Sequence, residues 1–196
     1  MSDFQQEVKD RIASNARDER LKSDAAAFMR SSIASGYSYN FSWLGRPIIQ
    51  YPQDMVAMQE LIWSIQPDLI IETGIAHGGS LIFSASMLEL NAACGGPQDA
   101  SVLGVDIDIR PHNRQAIESH PLFRRIEMIQ GSSVAPDVVG QVRAKASGRG
   151  RILVCLDSNH THEHALAELQ AYAPLVSVGS YCVVFDTVIE KLPREM

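Results

Sequence analysis

From residue 67 onward the chain alternates between short apolar runs and longer stretches with helical spacing. The apolar runs are DLIIE, SVLGVDI, RIEMIQ, RILVCLD and SYCVVFD, each the length of one strand. The intervening stretches include SLIFSASMLELNA, APDVVGQVRAKA and HEHALAELQAYAPLV. Continuously apolar strands separated by helices predict a parallel sheet covered on both faces. The fold class is therefore α/β, a doubly wound and mostly parallel sheet that binds ligands at the carboxyl ends of its strands.

The first part of the chain has a different pattern. Residues 1–34 are polar and rich in charge, with a few spaced apolar positions, and they predict one or two helices on the surface or against another subunit. We therefore divide the chain into an N-terminal helical and extended segment, 1–50, and a ligand-binding α/β domain, 51–196.

Four aromatic residues follow the N-terminal helices. Tyr37, Tyr39, Phe41 and Trp43 alternate with other residues, which predicts an extended segment with all four rings on one face. These rings either pack under the domain or form a wall over a ligand pocket. A helix with apolar positions at helical spacing is predicted to begin at Pro52 and Asp54.

Composition and charge restrict the kinds of partner. The 196 residues carry 17 basic and 23 acidic side chains, a net charge of -6, which disfavours a broad nucleic-acid surface. No apolar run approaches the roughly 18 residues of a membrane span, and the charged N-terminus lacks the apolar core of a signal peptide. Three cysteines without CxxC spacing argue against a disulfide framework or a cysteine zinc site. We expect a cytoplasmic protein without nucleic-acid or membrane partners.

The turn after the first strand, IIETGIAHGGS, is the first candidate ligand-binding loop. Its glycines let a backbone approach a ligand, and the helix that follows offers free N–H groups. A dinucleotide fingerprint fits poorly, because Ala76 stands where GxGxxG needs a glycine and the acid precedes the turn. An acid followed by G-x-x-x-G resembles the first motif of S-adenosylmethionine (SAM)-dependent methyltransferases; a purely structural turn is the alternative. The candidate cofactor-binding residues here are Glu72, Gly74, His77, Gly78, Gly79 and Ser80.

The next two strand ends contribute to the same crevice. Asp106 ends the second strand, where a nucleoside-binding sheet needs an acceptor for ribose hydroxyls. Ser132 and Ser133 follow the third strand, where a loop would contact an adenine base. A serine turn that caps the following helix is an equally good interpretation.

The fourth strand ends in LDSNHTHEH, a segment with three histidines. Asp157 of this segment and Asp186 after the fifth strand lie at neighbouring carboxyl ends, about 4.8 Å apart in a parallel sheet. Two carboxylates suit Mg²⁺ or another hard divalent cation rather than zinc. His160 is a candidate general base for a hydroxyl proton, with Asp157 beside it as the second catalytic residue.

The histidines of this segment have other interpretations. A zinc site would need converging ligands, and helical spacing points His160 and His162 in directions about 200° apart. His160 could instead cap the following helix. We expect His162 to face the core, and His164 to lie with Glu168 on the polar face, both with structural duties.

Several segments together resemble the family of cephalosporin hydroxylase–associated proteins and rhamnosyl O-methyltransferases. They are SNHTHEHALAELQAYAPLVSVGSYCVVFDTVIEKLP, IIETGIAHGGS and WLGRPIIQYPQD, and the resemblance covers roughly residues 37–193. It implies a Rossmann-like class I methyltransferase fold, SAM and Mg²⁺ as cofactors, and methyl transfer to a hydroxyl of a sugar or other small molecule. The metal-dependent catechol-type enzymes are also similar, and they place an acid pair after strand five. Here Phe185 occupies one of those two positions.

The chain reaches Met196 ten residues after Asp186, whereas this fold normally adds a helix and two further strands. We expect either that the chain is partial or that another subunit completes the sheet. The second case predicts a homo-oligomer, which is the state we expect. An NAD(P)-dependent oxidoreductase and a non-catalytic assembly protein with a SAM fold are the alternatives.

Overall fold

The computed structural model describes residues 3–188, and it divides into two compact units between Ser38 and Tyr39. The first unit contains helices α1 (Asp3–Asn15) and α2 (Glu19–Ala34), which confirms the predicted helical N-terminus. The side chain of Asp18 accepts a hydrogen bond from the Leu21 N–H at 3.0 Å and so caps α2. The boundary after residue 50 remains a prediction, and residues 189–196 of the domain lie outside the described residues.

The second unit begins with a hairpin that the sequence did not predict as such. Strands β1 (Phe41–Trp43) and β2 (Arg46–Ile48) are antiparallel, and a 3₁₀ turn over Tyr37–Asn40 precedes them. The extended segment with four rings on one face was therefore wrong, because only Phe41 and Trp43 lie on a strand. The Trp43 indole N–H donates to Ser86 Oγ at 2.9 Å, so the hairpin is fixed to the helix that carries Ser86.

The rest of this unit is the expected parallel sheet with helices on both faces. The helices are α3 (Pro52–Ile65), α4 (Gly79–Ala93), α5 (Pro111–Glu118), α6 (Pro136–Ala146) and α7 (His162–Tyr172). The strands are β3 (Leu69–Thr73), β4 (Ser101–Asp106), β5 (Ile126–Gln130), β6 (Ile152–Leu156) and β7 (Cys182–Val184). All neighbours in the order β5-β4-β3-β6-β7 are parallel, as expected for a Rossmann-like class I methyltransferase fold.

Burial on both faces explains why the strands are continuously apolar. Every residue of β3 and β6 is buried. Ile70 packs with α3, α4 and α5, for example with Ile62, while Ile71 packs with α6 and α7. Burial of such side chains stabilises the sheet by about 1.5–3 kcal/mol for each large aliphatic residue.

The strand order places a crevice beside β3. The chain proceeds outward from β3 to β4 and β5, and then crosses to β6 and β7 on the other side of β3. Ligands bind in such sheets where the order reverses, outside the carboxyl ends of the strands. Thr73 pairs with Leu156 at that edge, so the residues that follow these two strands face each other. Within residues 3–188, no helix is long and apolar enough to cross a membrane.

Candidate functional site

Gly74 brings the first turn directly against the end of β6. Its φ is +92°, and a Cβ added there would lie 2.0 Å from the backbone oxygen of Asp157. The Asp157 N–H donates to the Thr73 carbonyl at 2.9 Å, which fixes the same approach from the other side. Any larger residue at position 74 would push the glycine turn away from Asp157, so this glycine keeps the two halves of the site together.

The other two glycines of the turn pack closely against neighbouring elements. A Cβ at Gly78 would lie 2.4 Å from the Ile117 side chain of α5, and one at Gly79 would lie 2.2 Å from the Pro47 carbonyl of β2. Both positions therefore require glycine to admit neighbouring elements. Their contact with a cofactor stays a prediction.

Asp106 fixes the conformation of the glycine turn. Its Oδ2 accepts hydrogen bonds from the N–H groups of Ile75 (2.7 Å) and Ala76 (3.2 Å), and Oδ1 accepts from the Asp108 N–H (2.9 Å). Ala76 has φ +45°, an unusual value for a residue with a Cβ, and these bonds stabilise it. The carboxylate also lines the crevice, so its predicted contact with ribose hydroxyls is sterically open.

Arg46 and Asn113 hold the outer side of the turn, and the sequence analysis missed both. The Arg46 guanidinium donates to the His77 carbonyl at 2.6 and 3.0 Å and to Asn113 Oδ1 at 3.1 Å. Asn113 in turn donates to the Ala76 carbonyl at 2.9 Å. His77, a predicted cofactor residue, thus contributes its backbone to this network.

Glu72 lies deep below the turn. It is 3% exposed, and Ser80 Oγ donates a short hydrogen bond to its Oε1. Burial raises the pKa of Glu72 to about 8, and the hydrogen bond from Ser80 partly opposes that rise. A cationic group nearby would stabilise the ionised carboxylate and lower this pKa.

A crevice of about 220 Å³ opens between the two halves of the sheet. It is lined by predicted residues from four strand ends, so these residues lie together. Ser158 and His164, which follow β6, line the crevice as well. The predicted residues that line it are Gly74, Asp106, Ser132, Ser133 and Asp157.

Asp157, His160 and Asp186 form a compact cluster at one end of this crevice. One ligand atom from each lies within 4.8 Å of the other two, and His160 Nε2 is 3.3 Å from Asp186 Oδ2. Two carboxylate oxygens suit a hard divalent cation, and the imidazole nitrogen lies beside them. Among residues 3–188 this is the one such group of three, so the predicted pair of acids and the predicted base do converge.

The electrostatics of this cluster favour a bound cation. Burial, followed by the neighbouring charge of Asp186, raises the pKa of Asp157 to about 7. Burial and the charge of Asp186 also raise the pKa of Asp54, in the first turn of α3. Gln50 donates to Asp157 Oδ2 at 3.4 Å and opposes the rise at that residue. Because like charges repel, a divalent cation would stabilise these carboxylates in their ionised form.

Phe185 supplies no acid, as the sequence suggested, and packs against the core beneath α3 and α4. The additional acid near the cluster is Asp54, which comes from the segment before the sheet. Neither Gln50 nor Asp54 was predicted from the sequence to belong to the site, and Asp54 was predicted only to begin a helix. The signal available was only their place in IIQYPQD, which belongs to the segments that resemble the methyltransferase family.

The two remaining histidines differ from their predicted positions. His162 is exposed, so its predicted place toward the core was wrong. Glu168 is 1% exposed, so its predicted place on the polar face was wrong as well. His164 and Glu168 instead face Ser158 at the crevice. The reason is that α7 is short and has half-buried residues along two of its edges. Neither His162 nor His164 joins the cation cluster, which argues against a histidine zinc site.

Comparison with known proteins gives consistent results. A family model described as "Rhamnosyl O-methyltransferase/CmcI" matches residues 35–196. The rhamnosyl O-methyltransferase of Mycobacterium leprae (strain TN) is 32% identical over 154 residues, which are 78% of this chain and 62% of that protein. The Mycobacterium bovis (strain BCG / Pasteur 1173P2) protein of the same name is 34% identical over 144 residues, 71% of this chain and 54% of that one.

Solved structures agree on the fold. A CmcI structure with Mg and SAM has a TM-score of 0.55 and 20% identity, over 78% of this chain and 60% of that chain. The chain therefore spans between about half and two thirds of the length of the proteins it matches.

Proposed function

Since the chain belongs to the rhamnosyl O-methyltransferase/CmcI family, we propose that it is a SAM-dependent O-methyltransferase that uses a divalent cation. Mg²⁺ is the proposed cation, and the proposed acceptor is a hydroxyl group on a sugar or another small molecule. The rhamnosyl O-methyltransferase relatives support a sugar, and the CmcI structure with Mg and SAM supports both cofactors.

One observation carries the proposal. Asp157 belongs to the cation cluster with His160 and Asp186, and it also lines the crevice opened by Gly74 and Asp106. An acceptor hydroxyl beside the cluster would therefore face a methyl group on a cofactor in the crevice. Such alignment of two reactants is a large part of the catalytic effect in a group transfer.

The residues of the crevice would bind SAM in parts. Glu72 and Ser80 lie at the end proposed for the methionine moiety, where an ammonium group would stabilise the ionised Glu72. The open side of Asp106 would accept hydrogen bonds from the ribose hydroxyls. Ser132 and Ser133, after β5, would lie near the base.

Asp157 and Asp186 would hold the cation, and a bound divalent cation makes an acceptor hydroxyl more acidic. His160 Nε2 would accept the proton of that hydroxyl, and Asp186 Oδ2, 3.3 Å away, would stabilise the imidazolium. The acceptor oxygen would then form a bond to the methyl carbon of SAM. The carbon–sulfur bond would break with its electron pair left on sulfur, and S-adenosylhomocysteine (SAH) would be released.

Calorimetric titration tests the cofactor and separates the proposal from a dinucleotide-dependent oxidoreductase. We expect SAH to saturate one site in the chain and NADH to give no saturable heat at the same concentrations. Saturation by NADH, or the absence of SAH binding at millimolar concentration, would contradict the proposal. Transfer of labelled methyl from SAM to rhamnosides, with Mg²⁺ and with EDTA, then tests acceptor and cation. SAH binding, with no more turnover in the wild type than in His160→Ala and Asp157→Ala, would favour a non-catalytic assembly protein.

A further inference from the structure

A chain of hydrogen bonds behind the crevice takes no part in the proposed methyl transfer. Glu168 is almost fully buried, and Ser158 Oγ donates to its Oε1 at 2.7 Å. Nε2 of His164, one turn earlier on α7, lies 3.2 Å from Ser158 Oγ and 3.4 Å from Glu168 Oε1. Burial of the Glu168 carboxylate costs free energy. If this helix position served only for packing, an apolar residue would avoid that cost.

The direction of these bonds fixes which nitrogen of the His164 ring carries hydrogen. Ser158 has a single hydroxyl hydrogen, and that hydrogen goes to Glu168. The Ser158 oxygen is therefore left to accept a hydrogen bond from His164 Nε2. In a neutral imidazole this arrangement places the hydrogen on Nε2, which leaves the Nδ1 lone pair as an acceptor.

The acceptor nitrogen belongs to a ring that lines the crevice. Asp106 and Ser132 line the same crevice. Among residues 3–188, none forms a hydrogen bond with Nδ1 of His164, whereas Nε2 has three polar neighbours. Nδ1 of His164 is thus an acceptor without a protein partner among these residues, on a ring that lines the crevice.

The Ser133 side chain is poorly placed to hydrogen-bond to the adenine base itself. It is 5% exposed, its Oγ lies 3.2 Å from His164 Nε2, and its carbonyl accepts from the Tyr172 hydroxyl at 2.6 Å. Both bonds connect the loop after β5 to α7. The loop after β5, which lies near the base in nucleoside-binding sheets, therefore holds His164 in place and does not take over its contact with the base.

We propose that His164, held by Ser158 and Glu168, binds the adenine base of the cofactor by accepting a hydrogen bond from its 6-amino group. This inference rests on the proposed function and assigns a binding role to a residue that sequence reasoning had left as structural. His164 is a binding residue in this scheme, and His160 remains the base.

The test compares two ligands that differ only at position 6 of the base and at the adjacent N1. Calorimetry measures the Kd of SAH and of S-inosylhomocysteine, in which a carbonyl oxygen replaces the 6-amino group. We expect the wild-type chain to bind SAH about tenfold more tightly than S-inosylhomocysteine, which is the difference that one good hydrogen bond makes. His164→Ala should bind SAH about tenfold more weakly and bind both ligands alike. His164→Phe, which keeps the ring volume without its nitrogens, should behave in the same way.

His162→Ala is the matched control, since His162 is an exposed histidine on the same helix, and it should keep the preference. Mn²⁺ affinity should stay unchanged in all three variants. If the wild type binds SAH and both His164 variants keep its affinity and preference, the inference is wrong and the proposed function stands. If the wild type binds no SAH, the proposed function is overturned and the inference with it.

Discussion

The two halves of the candidate site are built in opposite ways. On the cofactor side, between β3 and β5, the glycine turn is held by Asp106, Arg46 and Asn113, which satisfy its backbone groups. On the cation side, after β6 and β7, Asp157 and Asp186 lie together with an imidazole and repel each other. One half is pre-formed, and the other is complete only with a positive charge.

This difference indicates how each half would respond to its ligand. A pre-formed turn loses little freedom when a cofactor binds, so its affinity depends on the bonds that hold the loop. A cluster of carboxylates with raised pKa must release protons as a cation binds, so its affinity depends on pH. Substitutions and pH changes should therefore separate the two halves.

Asp157→Asn should produce the largest separation. Loss of one carboxylate from a site with two should weaken Mn²⁺ binding by about 100-fold or more, because outer partners alone are worth 10–100-fold. The affinity for SAH should change less than about threefold, since Asn keeps the size and the backbone contact with Gly74. Electron paramagnetic resonance of Mn²⁺ and calorimetry of SAH measure the two values. Equal losses of both ligands would show that the halves are not separable.

Arg46→Met should affect the opposite half. It removes the bonds to the His77 carbonyl and to Asn113, and we expect SAH affinity to fall about 30-fold, or about 2 kcal/mol. Mn²⁺ affinity should remain within about twofold. Arg114→Met is the matched control, because within residues 3–188 the Arg114 guanidinium hydrogen-bonds to the exposed residues Glu118 and Gln130, both at 3.4 Å. A comparable loss of SAH binding in Arg114→Met would remove the special role of Arg46.

A change in pH should have the next largest effect, and this effect is on the affinity for the cation. The pKa of Asp157 is about 7, so a cation must displace a proton below that pH, and Mg²⁺ affinity should rise about tenfold from pH 5.5 to 6.5. Because this folded pKa lies above the ordinary value of 3.8, the metal-free protein should lose stability as the pH rises from about 4 to 7. Thermal unfolding in EDTA and in Mg²⁺ measures both effects. Stability in EDTA that rises over this range would contradict the assignment.

Gln50→Leu should produce the smallest effect. The amide donates to Asp157 Oδ2 at 3.4 Å and lowers its pKa, so its removal should raise that pKa further. Mg²⁺ affinity at pH 7 should fall by about threefold, in keeping with one weak hydrogen bond. Gln50→Glu would add a like charge and should shift the pH dependence in the same direction. No shift in either variant would remove Gln50 from the cation site.

The sequence predicted the sheet and the chemistry at its strand ends because both are local. Each strand is a continuous apolar run, and Asp106, Asp157 and Asp186 directly follow such runs, so periodicity alone places them at one edge. Arg46, Gln50 and Asp54 come from a hairpin and a helix start that precede the sheet. Their contacts depend on how that segment folds over β3 and α4, which no local pattern shows.

Helix α7 illustrates the same limit in a different way. In HEHALAELQAY the apolar residues Leu166 and Leu169 suggest one buried face, yet Leu166 is 45% exposed while Glu168 is buried. The edge that carries His164 and Glu168 faces the crevice, where Ser158 bonds to Glu168. A buried polar face is indistinguishable from a solvated one until its partners are known.

One measurement tests most directly whether the two halves form one site. SAM labelled with ¹³C at its methyl group is bound to the chain, and its NMR signal is followed as Mn²⁺ is added. If the cofactor lies in the crevice beside Asp157 and the cation lies in the cluster, one equivalent of Mn²⁺ should broaden the methyl signal, and Asp157→Asn should prevent it. A methyl signal that stays sharp while SAM and Mn²⁺ are both bound would contradict this account.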